Sequence, residues 1–180
     1  MKFKIAIINV GSVEKWVLRS IKRGLSKAYS EAEVEIPDMQ MDVPEEAYDF
    51  RRNQYYSSPI LFQIRRRFSW ISDKILGVTE ADLYVPHLNF VFGEAECPGK
   101  AAIISLYRLR PEFYGYPPDK KLFIKRCIKE AVHEIGHTLG LGHCDNPKCV
   151  MHFSNSIWDT DRKNSKLCRK CKLKLQQLHI

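Results

Sequence analysis

Apolar and polar positions along the chain follow two alternating periods. "KFKIAIINV" runs almost without a polar break and predicts a buried strand. "SVEKWVLRSIKRGLSKAYS" changes to the helical period. Val13, Trp16, Val17, Ile21 and Leu25 fall on one face, and Ser12 stands where a cap would. "AEVEIP" predicts a second short strand, so the chain opens like an α/β sandwich. Residues 38–58 read as a polar connection. "SPILFQIRRRFSWISDKIL" predicts a second helix, with an apolar stripe of Ile60, Ile64, Phe68, Ile71 and Ile75. "ADLYVP", "LNFVFGEA" and "KAAIISLYRL" predict three more strands, and "PEFYGYPP" breaks the pattern. A long helix is expected from Asp119 to Leu139. Beyond Gly140 the chain reads as irregular, with a short basic helix from about Cys168.

With 180 residues the chain suits one α+β domain, a mixed sheet packed with helices, able to bury roughly 70% of its unfolded surface. No linker divides it, and no period suggests a repeat protein. No apolar run approaches the ~18 residues of a membrane span, so no membrane partner is expected. The first apolar run is short for a signal peptide and lacks a small-residue cleavage site, which points to the cytosol. In that compartment six cysteines point to metal or buried thiols rather than disulfides. The net charge is +8, with basic clusters at Arg51-Arg52, at Arg65-Arg66-Arg67 and in "KNSKLCRKCKLK". Solvated helix faces account for these more simply than a nucleic-acid surface does.

"AVHEIGHTLGLGHCDNPKCVM", residues 131–151, carries the chemistry. His133 and His137 are four apart on the predicted helix, so both rings leave one face and can grip one zinc ion. Glu134 lies beside them, able to reach a zinc-bound water without being a ligand. A continuing helix would carry His143 about 240° away from His137. Gly140 can adopt the left-handed conformation that ends the helix and brings the third ring back. Three neutral nitrogens then leave the fourth position open.

Cys144 and Cys149, followed by Cys168 and Cys171, have the spacing of a closed structural zinc site. Neighbouring side chains can point apart, so His143 can serve the first metal while Cys144 serves the second. The second metal would pin the segment that bears His143. Cys97 and Cys127 stay outside this scheme as expected buried thiols, and His87 and His179 are given no role.

The string H-E-x-x-H-x-x-G-x-x-H-C, continued by C-x4-C-x-M and C-x-x-C over residues 133–171, resembles the archaemetzincins of the metzincin clan. "LNFVFGEA" and "SLYRLRPEFYG" also look like the family's preceding strands. The gap between Met151 and Cys168 is one residue shorter than the family's. Some metzincins place a tyrosine ligand after the methionine turn; His152 and Phe153 stand there here, so none is assigned. The resemblance implies a compact metzincin-like fold whose active-site helix completes a sheet-and-helix part, 1–140, above a zinc-pinned C-terminal part, 141–180. It implies a zinc peptidase with His133, His137 and His143 on a catalytic zinc, Glu134 as general base, and Cys144, Cys149, Cys168 and Cys171 on a structural zinc. Met151 would pack beneath the catalytic metal, where an ordinary core methionine would look much the same.

The expected reaction is hydrolysis of peptide bonds in a peptide or protein substrate, by a monomer, with two zinc ions and no nucleic-acid partner. By family analogy, "KAAIISLYRL" would align the substrate through β-pairing. The rival readings are a zinc-stabilised binding module whose charge would suit nucleic acid, and a metzincin scaffold of weak or no turnover that binds a nucleic-acid or acidic partner through its basic surface.

Overall fold

The computed structural model describes residues 2 to 178, so His179 lies outside the described residues. The chain begins with β1 (Phe3–Val10), α1 (Lys15–Ala28), β2 (Ala32–Glu35), β3 (Gln40–Met41), β4 (Tyr48–Asp49) and β5 (Gln54–Tyr56). Then come α2 (Ser57–Phe68), β6 (Lys74–Thr79), β7 (Leu83–Tyr84), β8 (Gly93–Ala95) and β9 (Ala101–Ser105). Two short 3-10 turns lead into the long α3 (Lys120–Thr138), followed by α4 (Ile157–Arg162) and α5 (Arg169–Gln177).

The main sheet has the order β2-β1-β6-β9-β8, with β3 beside the end of β1. All its pairings are parallel except that of β8, which runs antiparallel to β9. A small second sheet joins β4, β5 and β7. Alternation along the central strands divides the core into two layers. Ile5, Ile7, Leu76, Val78, Ala102 and Ile104 pack with residues of α1 and α3. Ile8, Val10, Ile75 and Ile103 pack with Ile60, Ile64 and Phe68 of α2. Both faces are covered, which is why these strands are nearly continuous apolar runs. The result is the mixed α+β fold expected from the pattern.

Several boundaries differ from the expectation. Helix α2 ends at Phe68, and Ile75 belongs to β6, not to the helical stripe. Residues 74–79 pair with β1 on one edge and β9 on the other, and this two-sided pairing prevails over a helical spacing that runs on through Ile71 and Ile75 by coincidence. Ser12 does not cap α1. The helix starts after Glu14, and the Val13 N–H donates instead to Asn9 Oδ1 at 3.1 Å. Asp119 does cap α3, accepting from the Leu122 N–H at 2.9 Å. Of "LNFVFGEA" only Gly93–Ala95 is a strand. The carbonyls of Leu88 and Asn89 are taken by the Arg52 guanidinium, at 2.7 and 3.1 Å, and not by a neighbouring strand.

Helix α4 interrupts the stretch read as irregular, and Ser156 with Asp159 forms its capping box. It is clamped to one face of α3. Arg126 makes two bonds to Asp161, at 2.8 and 2.7 Å. Lys129 Nζ donates to the carbonyls of Thr160 and Asp161, and the Thr160 hydroxyl donates to Glu130 at 3.0 Å. Lys163, wholly buried, completes the clamp with Glu130 at 3.1 Å. Positions 126, 129 and 130 share a face because they are three and four apart. No described helix is long and apolar enough to cross a membrane.

Candidate active site

Helix α3 presents His133, Glu134 and His137 and then stops. Gly140 adopts φ 89°. Its N–H bonds the His137 carbonyl at 2.8 Å, and the Leu141 N–H bonds the Gly136 carbonyl at 3.0 Å. This pair of bonds is the Schellman arrangement that a left-handed residue permits. The chain turns back and returns His143 to the other two rings, whose centroids lie 5.4 and 4.9 Å from its own.

The hydrogen bonds of the rings fix which nitrogen is free. His133 Nδ1–H donates to the Val150 carbonyl at 2.8 Å, and His137 Nδ1–H to the Leu141 carbonyl at 2.7 Å. That leaves both Nε2 atoms with bare lone pairs, and they face each other at 3.0 Å. Two acceptors so close repel unless a cation lies between them. The three rings offer nitrogens all within 4.8 Å of one another. Around zinc, with bonds of 2.0–2.1 Å, tetrahedral nitrogens stand about 3.4 Å apart. The donor set therefore fits that ion. Burial lowers the pKa of all three imidazoles and favours the neutral form that can act as a ligand.

Glu134 is buried beside them but is not among the grouped nitrogens. Burial raises its pKa well above the usual carboxylate range; the Glu130 charge adds to this, and Lys163 opposes it. Its side chain lies against Gly93 of β8. A Cβ there would stand 2.7 Å from Glu134 Cγ and Oε1 and from the Ile103 carbonyl. Together these groups line a cleft of about 740 Å³, walled by Leu88, Phe92 and Phe153.

The cysteines form a separate group. Sγ of Cys144 and Cys168 are 3.8 Å apart, and those of Cys149 and Cys171 are 3.7 Å apart. Four sulfurs at 2.3 Å from zinc stand about 3.8 Å apart, whereas a disulfide needs about 2.05 Å. Burial opposes ionisation of Cys168, yet the backbone N–H of Cys171 and hydrogen bonds from Cys149, Cys171 and Cys144 lower its pKa to about 7. Between the two groups, the Cys144 N–H bonds the Met151 carbonyl at 2.9 Å. Met151 is fully buried, and its thioether lies over Gly136, where a Cβ would not fit.

Residues 1–177 match the family model described as Peptidase family M54. The chain belongs to that family. It is accordingly a zinc metallopeptidase, and peptides or proteins are its substrates. The M54 assignment is supported along the whole chain. The archaemetzincin of Methanocaldococcus jannaschii is 49% identical over 180 residues, covering 100% of this chain and 97% of that one. The crystal structure of the Methanopyrus kandleri archaemetzincin superposes with a TM-score of 0.85 at 36% identity, over 99% of this chain and 96% of that one. A zinc-dependent peptidase from Methanocorpusculum labreanum gives 0.86 at 37% identity, over 95% of this chain and 99% of that one.

Within this M54 peptidase the histidines and cysteines singled out in the sequence fall into the two groups just described, with Met151 packed over Gly136 of the helix that carries His133 and His137. Two expectations change. β9 cannot align a substrate, because β6 and β8 occupy both its edges; the free edge beside the cleft is that of β8. Cys97 is not a buried thiol like Cys127. It follows β8, is exposed, and lines the cleft. Sequence reading passed over Glu130 and Lys163, single charged residues within polar stretches that carry no periodic signal. Gly93 did have a signal, as a glycine inside a predicted strand, which often marks a close approach. Gly93→Ala should displace the Glu134 carboxylate and lower kcat/KM by roughly 10²-fold. Zinc content should not change. Peptide kinetics and metal analysis on the same preparation check this, and an unaltered rate would show that the contact does not position Glu134.

Proposed function

We propose that His133, His137 and His143 hold one zinc ion, that Cys144, Cys149, Cys168 and Cys171 hold a second, and that Glu134 is the general base of peptide-bond hydrolysis. The observation that carries this reading is the pair of Nε2 lone pairs facing each other at 3.0 Å, next to a buried carboxylate in an open cleft. Zinc at the histidines would polarise the scissile carbonyl and make a neighbouring water more acidic. Glu134 takes the proton of the attacking water and passes it to the leaving amine nitrogen. β8 offers its free edge to an extended substrate, and Gly93, lacking a side chain, keeps the approach to Glu134 open. The carbonyls of Val150 and Leu141 hold the two helical imidazoles in the tautomer that turns Nε2 inward. Thiolate ligands suit a reducing compartment, which accords with a cytosolic enzyme.

Protein prepared without chelator should contain about two zinc ions per chain, one for each ligand set. Elemental analysis together with thiol titration tests this. One zinc, with the four cysteines oxidised in pairs, would remove the second site from the reading.

A further inference from the structure

The cleft has a charge unlike that of the rest of the molecule. The chain carries 29 Lys and Arg against 21 Asp and Glu. Among the described residues, no Lys or Arg lines the cleft, whereas Glu94, Glu130 and Glu134 do. Two of these carboxylates are already committed. Glu130 is paired with the buried Lys163, and Glu134 lies buried at the histidines. Glu94 has neutral partners only. The hydroxyls of Ser57 and Ser58, at the start of α2, both donate to it, the second at 2.7 Å. No described Lys or Arg forms an ion pair with it.

Its place in the fold gives this charge a use. Glu94 sits on β8, one residue from the Gly93 that touches Glu134, and opposite Ile103 on the inner side. The outer side of β8 is open to the cleft. A strand added there would lie about 4.8 Å away, and a side chain directly across from Glu94 would have its Cβ about 5 Å from that of Glu94. One strand residue spans about 3.3 Å, so this position falls within about two residues of the bond next to Glu134.

We infer that Glu94 is a specificity residue, selecting substrates with a lysine or arginine within two residues of the scissile bond. The inference rests on the peptidase reading and deepens it. The fixed hydroxyls orient the carboxylate without cancelling its charge, so a cationic side chain gains an ion pair while a neutral isostere does not. The same hydroxyls also fasten β8 to α2, a structural role that favours no substrate over another.

The test uses the zinc-loaded enzyme and matched peptides in which lysine or glutamine occupies each position from three before to three after the cleaved bond. The readout is the ratio of kcat/KM for the lysine and glutamine peptides. At one position it should reach about two- to fivefold, the worth of a partly exposed ion pair. It should approach unity in Glu94→Gln, which keeps the hydrogen-bond acceptor and loses the charge. It should also shrink as salt is raised with the wild-type enzyme, a check that needs no variant. Binding of the same peptides to the zinc-loaded Glu134→Ala protein gives a second readout that needs no turnover, with the lysine peptide held more tightly. A ratio near unity at every position, or one that Glu94→Gln leaves unchanged, overturns the inference even though peptides are cleaved. If no peptide is hydrolysed, the peptidase reading itself fails. Equal binding of lysine and glutamine peptides then overturns the role of Glu94 separately.

Discussion

Glu134→Ala should fold, keep its zinc and hydrolyse peptides about 10²–10⁴-fold more slowly, the usual contribution of a positioned general base. Folding should survive because Glu134 forms no ion pair with any described residue. Truncation therefore strands no buried partner, unlike loss of Lys163 or Glu130, and it removes a carboxylate whose burial is itself costly. Zinc should stay because Glu134 lies outside the grouped nitrogens, while His133 and His137 keep the carbonyls that orient them. What disappears is the proton acceptor beside Gly93. The comparison needs kcat, zinc content and thermal unfolding from one preparation. If turnover is unchanged, Glu134 is not the base. If zinc leaves with the carboxylate, the residue is a ligand and the assignment of roles is wrong.

The reach of sequence reasoning varied with how local each feature was. β1, α1 and α3 were legible because their apolar period is set by the layer they face, and Asp119 marks the start of α3 at its own position. β6 was not, because its identity comes from partners far along the chain, β1 and β9. Ile75 continues the apolar spacing of α2, and Gly77, which weakens a helix, with Val78 and Thr79, which favour a strand, is too short a signal to outweigh it. Helix α4 did carry a local signal, Ser156 three residues before Asp159, but only six residues follow the cap and no periodic face reinforces it.

The candidate site divides the same way. The eleven residues from His133 to His143 contain their own turn, so their convergence can be argued from helix geometry and one left-handed glycine. The contributions of Gly93, Glu94 and Lys163 arise only when β8 and the segment after α4 are brought against α3. For Lys163 no spacing rule exists, because its partner Glu130 is 33 positions away in the chain and was itself unremarkable in sequence.

Graded chelation should remove the two metals in order, with the histidine metal leaving first and activity with it. Three nitrogen ligands leave an open position through which a chelator can join the ion, whereas four thiolates leave none. His143 is exposed at the cleft, while Cys144, Cys149 and Cys171 are buried. Restoring zinc at this stage should restore hydrolysis, because α3 is held by the sheet and by the Arg126–Asp161 clamp and not by the metal. Loss of the second zinc should be far more damaging. Helix α5 has nine residues, of which only Cys171 is buried, and a helix that short does not persist alone in water. Structural zinc binding is worth about 10–16 kcal/mol in small zinc-dependent folds, so its loss should lower the melting temperature sharply. The damage should also reach the histidines. Cys149 adjoins Val150, whose carbonyl orients His133, and the Val150 N–H donates to the carbonyl of Lys166, two residues before Cys168. Protein stripped of both metals should therefore rebind zinc at the histidines more weakly than protein stripped of one. Zinc content, activity, thermal unfolding and hydrogen exchange over residues 144–177 on a single chelator series decide the matter. Activity that outlasts the first metal, or unfolding on its departure, would reverse the two assignments.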